Sequence, residues 1–313
     1  MQKHSVHRAR KLLHQFGMRR RDATHWLALT PIMFLILWSA GYVVAKVALG
    51  NANPIVLLAL RLAAVIAIIA VPFAILRPPL PKTPKDWLYL GLVGFLMQTI
   101  YFGIAYFAFV NGVAAGMAAL IFSLQPLLVG LLAPRWSAET ASWPQWLGLA
   151  IAMTGTFVVI VAQLKIDPPP LVGFGFAALA LAGITLATLW EKRFGLSHNP
   201  VTANLVGYSA GLLGLLPFLT WADIAAVNWT TSFYWAFAYL VIGNSVIAVG
   251  LLLAMIRAGQ VSRVSTLLFL VPPLAAFIAW VALDEPMPLM AWAGLIVSGF
   301  GVYLATRHRK SAD

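Results

Sequence analysis

The chain contains no cysteine. Disulfides, thiol catalysis and thiolate-held metals are therefore excluded. Charge is scarce as well: Asp, Glu, Lys and Arg make up 10% of 313 residues, where a soluble domain carries roughly a quarter. So thin a charge density cannot solvate a globular surface. Acids are the rarer sign, 9 against 21 Lys and Arg, and the formal net charge is +12. Every acid falls in a tail, a loop or the end of an apolar run, and all six histidines lie outside those runs. Acid–base catalysis and metal ligation thus have no members where the chain is apolar, and no enzyme constellation can be assembled. A glycine-rich phosphate loop is also missing, which argues against an ATP-driven pump. No cofactor is implied.

What the chain does have is apolar length. Hydrophobic residues make up 61%, which excludes disorder. The basic balance would suit nucleic acid in a polar chain, but this one is too apolar for such a partner. What remains is an integral membrane protein with the lipid bilayer as its solvent. A helix crossing about 30 Å of hydrocarbon needs roughly 20 apolar residues. Ten runs answer that description: 28–48, 54–76, 87–108, 113–133, 145–163, 170–190, 200–219, 232–255, 259–281 and 287–306. They are continuous rather than alternating, which rules out barrel strands. The expected fold class is all-α, with ten transmembrane helices and no separate soluble domain.

The basic residues sort by loop. With the N-terminus inside, 18 fall on the inner side and Lys165 alone on the outer. The positive-inside rule then places both termini in the cytoplasm. The basic tail over 1–27 reads as a retained segment that sets orientation, because the apolar run after it is too long for a signal peptide. Lipid binding is its other reading. Two cations remain within the spans: Lys46, near the outer end of the first, and Arg61, about two turns into the second from the outer side.

Slid on itself by 146 residues, the chain matches without a gap across five spans. Lys46 meets Lys192, Asn53-Pro54 meets Asn199-Pro200, and Pro126 meets Pro272. Glu139 meets Glu285, and Trp146, Gly148 and Gly155 meet Trp292, Gly294 and Gly301. Mid-span Gln98-Thr99 meets Asn244-Ser245. Apolar matches would be cheap in such a chain, but matches of Trp, Lys, Glu, Asn and Pro are not. The first repeat occupies 28–163 and the second 164–306, followed by a tail over 307–313. Five is odd, so the second copy starts from the opposite side of the membrane. Inverted repeats of this kind recur in secondary transporters, with the solute site near the midplane between the halves.

At these residues the sequence resembles the drug/metabolite transporter superfamily, and within it the ten-span EamA-type permeases with two tandem repeats. The matching stretches are WSAGYVVAKVAL (38–49), NP (53–54), ALR (59–61), and the Pro126 span with Glu139, Gly148 and Gly155. The copy SRVSTLLFLVPPLAAFIAWVALDE (262–285) follows, with Gly294 and Gly301. The resemblance covers roughly residues 30–306. It implies a permease of the bacterial inner membrane, exporting amino acids or other small metabolites by alternating access. Uptake or exchange, and a non-transporting scaffold, are the competing readings. A homodimer is left open. One departure stands out: Arg61 has Gly207 as its repeat counterpart, so the halves are not chemically equivalent.

The intramembrane cations are the first site candidates, since such residues face a cavity or a partner by default. Trp38, Tyr42 and Lys46 recur every four residues and drift only about 80° around a helix. They form a stripe with an aromatic wall and a cation at its outer end, suited to a carboxylate-bearing or zwitterionic solute. Lys46 can instead snorkel to the interface. Arg61 sits deeper, and with no acid at its depth its expected partner is a span-end carbonyl. Gln98 and Asn244 are carboxamides that need partners in a cavity or across helices. Tyr101, three residues from Gln98 on the same helical face, extends the polar wall or simply fills space. Pro126 and Pro272 bend their helices as gates or as static kinks. Glu139 and Glu285 read as structural loop or helix-start residues. The Gly148/Gly155 and Gly294/Gly301 pairs read as close-packing positions.

Overall fold

A computed structural model describes residues 20–136, 143–164, 170–194, 198–257 and 270–307. Lys165, Glu139, the tail up to residue 19 and the final residues 308–313 lie outside that set, as does the first half of the run 259–281. Every regular element among the described residues is helical.

α1 is Arg20–Leu49 and α2 is Pro54–Leu76. α3 runs in three continuous stretches, Pro84–Gly94, a π-helical Phe95–Gly103, and Ile104–Val110. α4 (Ala115–Phe122) and α5 (Gln125–Trp136) follow, then α6 (Trp143–Leu164), α7 (Leu171–Phe194) and α8 (Pro200–Leu219). α9 again has three stretches, Thr231–Ala238, a π-helical Tyr239–Ala248, and Val249–Arg257. α10 is Val271–Leu283 and α11 is Leu289–Arg307. Seven of the apolar helices are long enough to cross a membrane, and shorter apolar stretches lie at Trp146–Ala162, Val271–Leu283 and Leu289–Gly301. Large apolar side chains such as Ile75, Leu213 and Ile296 point outward, as a hydrocarbon surrounding requires.

Local chemistry sets the boundaries. Asn53 and Asn199 each accept from the backbone N–H two residues on, at 2.9 Å, with proline at the first helical position behind them. Such caps satisfy donors that a helix start leaves orphaned, and proline there forfeits no bond. Thr83 and Asp86 form a reciprocal capping box at the start of α3. The 146-residue offset thus reappears in three dimensions: the caps match, and so do the two π-helical stretches of α3 and α9.

The span expected over 113–133 is present as Ala115–Leu132, but it is not one uninterrupted helix. Two residues, Ser123 and Leu124, separate α4 from α5, and Pro126 stands second in α5 rather than mid-helix. Pro272 likewise stands second in α10. Both rings occupy a first turn, where the missing N–H had no intrahelical acceptor to lose.

α6 and α11 form the tightest helix pair. A Cβ on Gly155 would run into the backbone of Ser298 and Gly294, and one on Gly301 into that of Ala152 and Gly148. Gly155→Ala is therefore expected to force the helices apart at a cost of about 1–3 kcal/mol. Melting of the purified protein in detergent should show the loss, while Gly175→Ala, which meets open space, should melt no lower than the parent.

Candidate functional site

Five helices meet around a narrow cavity that is open at one side. α1 contributes Trp38 and Tyr42, α2 contributes Arg61, and α3 contributes Tyr101, Phe102, Tyr106 and Phe109. Phe122 of α4 and Asn244 of α9 complete the walls. The aromatic rings brace one another: Tyr42 stacks on Phe122 with centroids 6.3 Å apart, and Tyr101 meets the same ring edge-on at 5.1 Å.

Among the described lining residues Arg61 is the only Lys or Arg, and it is 3% exposed. Its Nε donates to Ser245 Oγ at 2.9 Å, Nη1 to the Tyr106 hydroxyl at 2.7 Å, and Nη2 to Asn244 Oδ1 at 2.9 Å. The Phe102 ring lies 4.7 Å from the guanidinium carbon. All of these partners are neutral. An intramembrane cation costs about 2.5–3.5 kcal/mol on insertion scales, and each hydrogen bond to a charged group returns about 1.5–3 kcal/mol. The three bonds hold the charge in place without cancelling it. The expected span-end carbonyl is not its partner; side chains of α3 and α9 are.

π-helical winding delivers those partners. Ser245 Oγ donates to the carbonyl of Leu240, five residues back, at 2.9 Å, a carbonyl that an i→i+5 ladder places within reach. With its own hydrogen so committed, the hydroxyl presents a lone pair to Arg61. Asn244 enters beside Gly41 of α1, where a Cβ would collide with its amide. Its Nδ2 also faces the Leu37 carbonyl, at 3.4 Å, and that carbonyl accepts from the Tyr239 hydroxyl at 2.9 Å.

Trp38, Tyr42, Arg61, Tyr101 and Asn244, all candidates from the sequence, come together at this cavity. Gln98 does not. It packs on Gly211 of α8, while Tyr101 faces the cavity. The two share a face at 3.6 residues per turn, but π winding takes more residues per turn and swings positions three apart away from each other. Pro126 is exposed, and Pro272 lines a separate small cavity with Leu120 and Ser123. Tyr106 and Phe102 were not legible as site residues, because Tyr106 stands five residues from Tyr101, a spacing no 3.6-residue face unites.

Lys46 lies just beyond the cavity, next to the lining residue Ala45. Its Nζ donates to Glu285 Oε1 at 2.7 Å. Both carboxylate oxygens of Glu285 also accept from the Ala115 N–H, at 3.0 Å each. Ala114 caps α4 with no side-chain acceptor of its own. A carboxylate from the α10–α11 connection thus caps a distant helix and pairs with the cation in the last turn of α1. Glu285 is therefore a tie between three elements rather than the start of its own helix.

The model of the EamA-like transporter family matches residues 25–161 and again 171–307. A protein of Salmonella typhimurium named "Probable amino-acid metabolite efflux pump" is 28% identical over 92% of this chain and 95% of its own length. A protein of Escherichia coli with the same name is 26% identical over the same shares. A solved crystal structure superposes with a TM-score of 0.63 at 19% identity, over 92% of this chain and 99% of that one. It is similar in fold.

Glu285→Gln keeps an acceptor for Ala115 but loses the charge that holds Lys46. It is expected to cost about 1–3 kcal/mol, read as a lower melting temperature. With no native cysteine, a single cysteine at Ala45 should then label faster than in the parent. Exchanging the two charges, Lys46→Glu with Glu285→Lys, should not restore the parent values, because a lysine cannot accept from the Ala115 N–H.

Proposed function

The chain belongs to the EamA-like transporter family, and from that premise we propose that it exports small organic, amino-acid-like or drug-like metabolites by alternating access. It is a multi-pass helical membrane protein and a small-metabolite transporter. The observation that carries the finer reading is the composition of the cavity walls. They come from both repeats, α1 to α4 of the first and α9 of the second, and the buried cation of one half is held by two side chains of the other. A site built across two related halves changes its access when the halves move.

In this reading ten helices form two five-helix repeats of opposite orientation. The chain lies in the inner membrane with both termini in the cytoplasm, on the strength of its loop charges. The Lys46–Glu285–Ala115 tie then closes the outer end, and opening toward that side requires it to part. By the offset of 146, Lys192 of the second repeat is the counterpart of Lys46, and Glu139 of the first is the counterpart of Glu285. The name shared by two relatives, "Probable amino-acid metabolite efflux pump", supports the direction and the class of cargo.

Cells expressing the chain should accumulate less of a labelled cargo than cells lacking it, and proteoliposomes should show counterflow. Uptake in place of release would reverse the assigned direction. If no solute tested crosses faster either way, and liposomes stay inert, the transport reading fails.

A further inference from the structure

We infer that the cargo is a small organic carboxylate with an apolar or aromatic body, and that its carboxylate docks on Arg61. The inference rests on the transporter reading and narrows it to one substrate class.

Three observations carry it. First, Arg61 is a buried cation whose partners are all neutral. Glu285, the acid paired with Lys46, is also engaged by the α4 N-terminus, and it is not among the described lining residues. Among the described residues the cavity therefore holds one positive charge that no acid answers. Second, a guanidinium has five N–H donors. The three hydrogen bonds engage one donor on each nitrogen, so each terminal nitrogen keeps one. Two donors on one rigid plane match the two oxygens of a carboxylate. Third, the remaining walls are rings: Trp38, Tyr42, Tyr101, Phe102, Phe109 and Phe122. They suit an apolar body. Among the described lining residues no acid faces a ligand ammonium, so a free amino group gains no charged partner here. Monocarboxylates, including amino acids whose amine is masked, should outrank both amines and free zwitterions.

The test uses purified full-length protein, with thermal stabilisation in detergent and counterflow in proteoliposomes read in parallel. The probes are phenylacetate, N-acetylphenylalanine and 4-methyl-2-oxopentanoate, each beside its amide, with phenylalanine and phenethylamine for comparison. At least one carboxylate should bind about tenfold or more tightly than its amide, and phenethylamine should rank last. Asn244→Asp places a carboxylate where Oδ1 now stands 2.9 Å from Nη2, answering the charge from within. It gives up the Nδ2 donor to the Leu37 carbonyl in exchange for an ion pair, and the folded variant should lose carboxylate binding by about tenfold or more. Arg61→Lys keeps the charge without the fork and should weaken binding by about tenfold.

A purely structural Arg61 predicts the opposite for Asn244→Asp: unchanged ligand response. That result, equal binding of carboxylate and amide, or no stabilisation by any of the three carboxylates would overturn the inference. Should Asn244→Asp fail to fold, Arg61→Lys and the carboxylate–amide pairs still decide it. Arg61-dependent binding with no flux would overturn the transport reading alone. Flux with no preference for carboxylates would overturn this inference alone.

Discussion

A guanidinium buried inside a membrane protein must be held, and much of the cavity follows from that requirement. α2 carries Arg61 inward, but α2 alone offers it nothing. Its acceptors come from two other helices, Tyr106 from α3 and the Asn244–Ser245 pair from α9. The pair is reachable because the Tyr239–Ala248 stretch winds as a π-helix and Gly41 leaves room on α1. Each accommodation alone is small. Together they make one cationic pocket with aromatic walls out of helices drawn from both repeats.

The Lys46 end obeys a different logic. There the positive charge is fully answered, by an acid that also serves a helix start lacking its own cap. One of the two cations is thus ion-paired, and the other is held by neutral partners alone. The stripe of Trp38, Tyr42 and Lys46, uniform on a helical wheel, divides at Ala45 between the cavity and its boundary.

Much of the architecture was legible in the sequence because it rests on long-period signals. Apolar run length located the helices, and rare residues at a constant offset exposed the repeat, whose caps at Asn53 and Asn199 reappear in matching geometry. The glycine pairs were read as close-packing positions and do bring α6 against α11. What escaped was everything that depends on local winding or on long-range pairing. A 3.6-residue wheel put Gln98 beside Tyr101 and hid Tyr106. It treated Pro126 as a bend inside one helix where the chain starts a new one. The partners of Arg61 and Lys46 lie 45 to 239 residues away in sequence, beyond the reach of any periodicity. Glu285 carried the one available hint, its match to Glu139, and a repeat match does not say which helix a carboxylate will cap.

The position equivalent to Arg61 in the second repeat is Gly207. It lies against Gly94 so closely that a Cβ on Gly94 would strike its backbone. What one half uses to place a cation, the other uses to bring α3 onto α8. A duplicated chain could have carried two fixed positive charges, one per half, and this one has room for a single one. For a cargo docked on Arg61, as proposed above, the asymmetry sets a valence. One guanidinium can neutralise one negative charge, so a dianion would arrive with a charge the pocket has no means to match. Because Arg61 stays with the protein, the electrical work of each turnover is that of the solute and whatever ion accompanies it.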